Sequence, residues 1–261
     1  MKNKVKDFAA SIGIAETGVS VFGEDKAFVC LFPYFTGYEP GNLSVYAYGA
    51  DYHLVTREKL GKICEFLKTE YGAKKAAGFA DIGPSVDREL AYRAGLGFYG
   101  KNDLLINPRL GSYFFIGYVL TDLSLEPDKP LDEGCLGCGK CIKACPGNAL
   151  SGGFFAERCA SAINQKKGEL TEEEKAIIRR SGYAFGCDIC QKVCPHNQKP
   201  PKPMPEFTKN LITNLRRDMF EGLSNKEFKE RYGEYAFAWR GKAVLLRNIG
   251  ILENKSVDNC R

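Results

Sequence analysis

Hydrophobic and polar positions change their period several times along this chain. Residues 1–20 carry apolar positions at helical spacing and predict a short amphipathic helix. Ala27 to Tyr34 is an apolar run rich in Val and Phe, the pattern of a buried strand. Gly37 to Gly49, rich in Gly and Tyr, predicts a loop. Helical spacing returns at Leu54, Leu60, Ile63, Cys64 and Leu67, with Asp51 placed to cap a helix running to about Tyr71. Lys75 to Asp81 predicts a strand and Val86 to Ala94 a helix, which Gly95-Leu96-Gly97 breaks. Leu104 to Asn107 and Tyr113 to Thr121 predict further strands. This alternation makes residues 1–130 an α/β or α+β layered domain. Pro127-Asp128-Lys129-Pro130 predicts a linker.

A cysteine-rich module fills residues 131–200. Pro200, Pro201, Pro203 and Pro205 predict an extended spacer after it. In the remainder, 201–261, Ala243, Leu245, Leu246 and Ile249 stand at helical spacing and predict a short helical tail. The longest apolar run, Tyr113 to Leu120, is far shorter than the roughly 20 residues of a membrane helix. The start of the chain shows neither an apolar signal core nor a twin arginine, so a cytoplasmic protein without membrane attachment is expected. A net charge of +5 is a mild bias that favours a polyanionic partner only weakly.

Cysteine usage changes the picture. Eight of the 11 cysteines lie between Cys135 and Cys194, while Cys30, Cys64 and Cys260 stand alone. Secreted disulfide scaffolds are short and Cys-rich throughout, so clustering in this chain points to metal. The first run is Cys135-x2-Cys138-x2-Cys141-x3-Cys145-Pro146, the bacterial ferredoxin pattern, whose fourth cysteine serves the other cluster. Gly137 and Gly139 let the loop pass close to a cluster. The second run, Cys187-x2-Cys190-x3-Cys194-Pro195, is one cysteine short, and Cys159 is the replacement. The swapped-ligand rule then assigns Cys135, Cys138, Cys141 and Cys194 to one [4Fe–4S] cluster. Cys145, Cys159, Cys187 and Cys190 go to the other, and no cysteine of the module is left over. Structural zinc is the weaker alternative, since it wants paired x2 spacings without x3-Cys-Pro tails. Two clusters in one module suit electron relay.

The clusters must feed chemistry elsewhere. Gly95-Leu96-Gly97-Phe98-Tyr99-Gly100 fits a dinucleotide-loop string but follows a helix rather than a strand, so it reads as a turn. A broader match lies in Ala80-Asp81-Ile82-Gly83-Pro84, Arg88-Glu89-Leu90-Ala91 and Ala94 to Asn102. Gly111 to Gly117, Asp51-Tyr52-His53 and the cysteine module with its displaced Cys159 extend it. In these motifs the chain resembles the epoxyqueuosine reductases over roughly residues 27–200.

The resemblance implies an α+β protein with a nitroreductase-like core, a two-cluster module and helices, akin in architecture to reductive dehalogenases. It implies cobalamin beside the two [4Fe–4S] clusters, and reduction of an epoxide on a modified tRNA base to an alkene. By the same resemblance Asp81 is the proton donor and Asp51 a second pocket carboxylate. Tyr52, His53, Lys101 and Asn102 fall near cofactor or substrate. An external low-potential donor such as ferredoxin or flavodoxin, and a monomeric state, complete the picture. A buried carboxylate with a raised pKa would suit the acid role. Without the resemblance Asp81 reads as a helix N-cap ahead of Val86, His53 as a surface histidine, and His196 as packing or a hydrogen-bond donor.

Two departures from the family pattern bear on the substrate. Family members are longer, with HEAT-like repeats after the cluster module, so a reduced tRNA surface is expected, with Lys199, Lys202, Lys209, Arg216 and Arg217 as remaining phosphate contacts. Position 87 is aspartate where glutamate is usual. Besides the tRNA reductase, a cobalamin-dependent reductase of a small molecule and a non-catalytic electron-transfer or corrinoid-reactivating protein stay open.

Overall fold

Strand β2, Asp25–Pro33, is apolar from Ala27 to Phe32 because it is buried on both faces at the centre of a sheet. The computed structural model in which it lies describes residues 1–200 and 202–254, so Cys260 and one proline of the spacer fall outside the described residues. The chain packs as two units, each discontinuous in sequence. The first comprises Met1–Phe35, Tyr52–Gly137 and His196–Pro205. The second comprises Thr36–Asp51, Cys138–Pro195 and the chain from Glu206. These boundaries do not coincide with divisions at 130 and 200, because distant segments complete each core.

In the first unit the order is α1 (Lys2–Ser11), β1 (Glu16–Phe22), β2, α2 (Tyr52–Tyr71), β3 (Ala76–Phe79), α3 (Asp87–Arg93), β4 (Phe98–Tyr99), β5 (Leu105–Ile106) and β6 (Phe114–Thr121). The main sheet runs β1-β2-β6-β3 with every pair antiparallel, and β4 and β5 form a separate ribbon. This makes the class α+β. The helix expected over residues 1–20 is two elements. Gly13, at φ +92°, turns the chain after α1, and β1 alternates well enough to join the sheet edge. Helix α2 lies close to β3 and β6 because Gly78 and Gly117 present no side chain to Leu60, which approaches a Cβ built at Gly117 to 3.0 Å. On the other face Val29, Leu31, Leu90, Ala91 and Tyr118 share a buried cluster. Full burial of such side chains contributes about 1.5–3 kcal/mol each.

Helix α3 ends at Gly95, φ +69°, where Leu96 N–H donates back to Ala91 O and Gly95 N–H to Tyr92 O. The glycine string there is a turn, as its position after a helix predicts. Residues 127–130 are no free linker. Asp128 accepts from Lys2 at 2.8 Å, from Lys6 at 3.2 Å and from Val19 N–H at 2.9 Å.

The second unit holds α4 (Lys140–Ala144), α5 (Ala160–Ile163), α6 (Glu172–Ser181), α7 (Ile189–Lys192), α8 (Asn225–Tyr232) and α9 (Lys242–Glu253). Thr171 and Glu174 form a reciprocal capping box on α6, and Gly182 closes it in the left-handed conformation. Ile163, Ile177, Ile178 and Ile251 make its core. The tail is helical as predicted, but its buried face runs through Val244, Leu245, Asn248 and Ile249 while Ala243 is exposed. Asn248 is tolerated there because its amide donates to Asn164 O at 2.6 Å and Ala184 O at 2.8 Å.

Candidate functional site

Seven of the module's cysteines, Cys138 to Cys194, belong to the second unit, and Cys135 to the first. Gly137 and Gly139 stand at φ +66° and +68°, a conformation that side chains resist, and so shape the first cysteine loop. The second loop is set from a distance. Asn164 Nδ2 donates to Gly186 O at 2.8 Å, and Gly186 N–H returns a bond to Asn164 Oδ1 at 3.1 Å, immediately before Cys187. Asp188 is buried, accepting from Ser44 Oγ at 2.5 Å and Val45 N–H at 2.9 Å.

Burial, opposed by a bond from Ile189 N–H and helped by Asp188, Cys159 and Cys145, leaves the Cys187 thiol pushed up to about 12. Cys190 is driven up by burial first, then by Cys187, Cys159, Asp188 and Cys145. Cys145 and Cys159 therefore lie within electrostatic range of both Cys187 and Cys190. Such thiols ionise only when a cation compensates them. Cys145 Sγ also accepts from Ala149 N–H at 3.3 Å. Among the described residues no three His, Cys, Asp or Glu side chains converge as a single ion would need. A cubane places its four ligands on separate irons and calls for no such convergence.

In the first unit Asp81 lies in the turn after β3. It is not a helix cap, since α3 begins after Val86 without any side-chain cap bond. Its side chain is 61% exposed, not buried, with Oδ2 3.5 Å from His53 Nε2. Its φ of +64° is rare for a non-glycine residue. Asp81 N–H donates to Asp87 Oδ2 at 2.7 Å. Burial, helped by the Asp81 charge, raises the Asp87 carboxyl above its ordinary range against the bond from Asp81 N–H. Asp87 Oδ1 is buried without a hydrogen-bond partner among the described residues. A cavity of about 330 Å³ opens beside this turn, lined by His53, Thr56, Arg57, Phe79, Ala80 and Ile82 among others. Tyr52 stacks on His53 at 4.1 Å and on Phe115 at 4.2 Å.

The other expected residues have their own surroundings within each unit. Lys101 lies beside the first cysteine loop, its Cε 4.0 Å from a Cβ built at Gly137. Asn102 is buried, and its Nδ2 lacks a hydrogen-bond partner among the described residues. Asp51, in the second unit, donates its backbone N–H to Glu234 O at 2.6 Å. The His196 ring meets Phe98 edge-on at 5.2 Å, and its Nε2 is also buried without a partner among the described residues. Of the basic residues, Lys199, Lys202 and Lys209 are exposed. Arg216 is paired to Asp218 and Arg217 to Glu253. The contact of Asp87 with Asp81 was missed by sequence reasoning. The only signal was the unusual residue type at position 87.

Comparison with known proteins places these features. Residues 134–197 match the family described as a 4Fe-4S double cluster binding domain, and residues 29–82 the family described as epoxyqueuosine reductase QueG, DUF1730. The epoxyqueuosine reductase of Lactococcus garvieae is 39% identical over 82% of this chain and 62% of its own length. That of Leadbetterella byssophila is 37% identical over 82% of this chain and 71% of its own. The chain thus spans less than two thirds of the first of these. A crystal structure of epoxyqueuosine reductase with an epoxyqueuosine-modified tRNA-Tyr stem loop is 29% identical, with a TM-score of 0.84 over 96% of this chain and 80% of that one. A reductive dehalogenase, 17% identical with a TM-score of 0.57 over 97% of this chain and 35% of that one, shares the fold alone. No helix among the described residues is long and apolar enough to cross a membrane.

Proposed function

This chain belongs to the epoxyqueuosine reductase family, and from that premise we propose that it reduces epoxyqueuosine to queuosine in tRNA. The observation that carries the proposal is the pairing of a double-cluster module with an aspartate turn that opens on a cavity. The reaction takes two electrons and two protons, and it turns an epoxide into an alkene and water. Cys135, Cys138, Cys141 and Cys194 would hold one cluster, and Cys145, Cys159, Cys187 and Cys190 the other. The clusters and cobalamin, when bound, supply low-potential electrons one at a time and a reduced cobalt nucleophile.

The residues present suit cobalamin in one testable respect. Asn102 keeps a buried amide donor without an acceptor among the described residues, and the periphery of a corrin is rich in amide carbonyls. Asn102 would donate to the cofactor, with Asp51, Tyr52, His53 and Lys101 as further contacts. Asp81 would deliver the proton to the leaving oxygen, at its Oδ atoms. His53 orients that carboxyl, and substrate entering the cavity covers an acid that is exposed without it. Support for tRNA as partner comes from the solved relative with its bound stem loop. An external ferredoxin or flavodoxin would supply the electrons to a monomeric, cytoplasmic enzyme.

The test is anaerobic reconstitution with iron, sulfide and cobalamin, followed by assay on epoxyqueuosine-containing tRNA with a chemical reductant. Queuosine should appear in the tRNA. Its absence with cobalt reduction intact would move the proposal to a reductase of a different substrate.

A further inference from the structure

The turn that presents Asp81 is held by a side chain that the proposed chemistry does not use. Ile82 N–H donates to Ala80 O at 2.7 Å, which closes a three-residue turn with Asp81 at its centre. With φ at +64° this is the positive-φ form of the γ-turn, rare and strained. A non-glycine residue stays in such a conformation only where its surroundings over-determine it. Helix α3 supplies the constraint. Asp87, in its first turn, takes the Asp81 N–H on Oδ2 at 2.7 Å. Its other oxygen is buried and unpartnered among the described residues, so Oδ2 carries the bond to the turn. A second anchor lies further along the loop. Ser85 N–H points at the Tyr118 hydroxyl at 3.4 Å, and Gly83 packs so close to that hydroxyl that a Cβ would overlap it.

We infer that Asp87 is a positioning residue, a latch whose carboxylate oxygen holds the Asp81 turn in its positive-φ conformation at the edge of the cavity. This rests on the reading of Asp81 as proton donor. The bland role for Asp87 is a favourable charge at the N-terminus of α3, where Glu89 also stands. The two roles need different things. A dipole partner needs negative charge, whereas a latch needs only an acceptor oxygen. Burial already disfavours the charge, which raises the carboxyl pKa and suits the latch.

Asp87→Asn keeps an acceptor and removes the charge, and Asp87→Ala removes both. Both are compared with the wild type in the reconstituted holoenzyme, by amide exchange across residues 80–86 and by steady-state kinetics on epoxyqueuosine-containing tRNA. Asp87→Ala should speed exchange at Asp81 about tenfold or more and lower kcat by a similar factor, with KM within about threefold. Asp87→Asn should restore the protection and most of kcat. Exchange at Tyr118 to Thr121 in β6 serves as the fold control. If Asp87→Ala disturbs β6 too, Asp87→Leu, of similar size and without an acceptor, replaces it with the same expected outcome. Equal behaviour of the Asn and Ala variants, or unchanged exchange at Asp81 in Asp87→Ala, would overturn the latch. Failure of the acid reading looks different: Asp81→Asn would turn over normally, while the exchange effect of Asp87→Ala, which needs no turnover, would still be seen.

Discussion

His53 Nε2 stands 3.5 Å from Asp81 Oδ2, a contact that joins helix α2 to the turn after β3. At that distance it is weaker than a well-formed hydrogen bond, and solvent screens the pair. His53, Ala80 and Ile82 line the cavity beside this turn. The helix-cap reading of Asp81 has no place in this geometry, because α3 starts six residues later.

Asp81→Asn keeps the shape of the side chain and cannot deliver a proton. Turnover should fall by roughly 10²-fold or more, the usual worth of a positioned acid. Cluster content, cobalamin uptake and cobalt reduction should persist, as read from absorption spectra of the same samples. Turnover close to wild type would remove Asp81 from the chemistry.

Cys159 is the proposed ligand that departs from the usual spacing, and it lies in electrostatic range of Cys187 and Cys190. Cys159→Ala should lower iron from about eight to about four per chain, since one of two four-iron cubanes loses a ligand. Iron analysis and low-temperature paramagnetic resonance of the reduced protein check this. Unchanged iron and spectra would mean that a different group completes that cluster.

Asn102→Leu separates a cofactor donor from a structural amide. An unpaired buried donor costs about 1–3 kcal/mol, so its removal should leave the thermal midpoint of the cobalamin-free protein equal or higher. Cobalamin affinity should weaken about tenfold, the equivalent of ~1.4 kcal/mol. A lower midpoint with unchanged cobalamin titration would assign Asn102 to structure alone.

Asn164→Ala removes the clamp on the loop before Cys187. Gly186 would lose both of its bonds to the amide, and Tyr183 O a longer one at 3.4 Å. Each buried group left unpaired costs about 1–3 kcal/mol. The denaturation midpoint should drop accordingly, and iron retained after gel filtration should fall. Full iron retention would show that the loop is held by its cysteines without the asparagine.

The sequence by itself determined the two-cluster module, because ligand spacing within a tight loop is a local property of a few consecutive residues. It also determined β2, α2, α3 and β6, whose apolar runs or helical periods are long enough to read. Strand β1 begins within residues 1–20, where a seven-residue edge strand competes with the helical period ahead of it. Only the tertiary structure decided the order β1-β2-β6-β3, since Cys30 meets Gly117 across 86 intervening residues and no local pattern encodes that register. It alone placed Asp87 under Asp81 and exposed a carboxyl that chemistry led one to expect buried. It alone gave Asn248, a polar residue on an apolar helix face, its partners on Asn164 and Ala184. Hydrogen-bond partners far apart in sequence exist only once the chain has folded, and the strained turn at Asp81 persists only because such partners hold it.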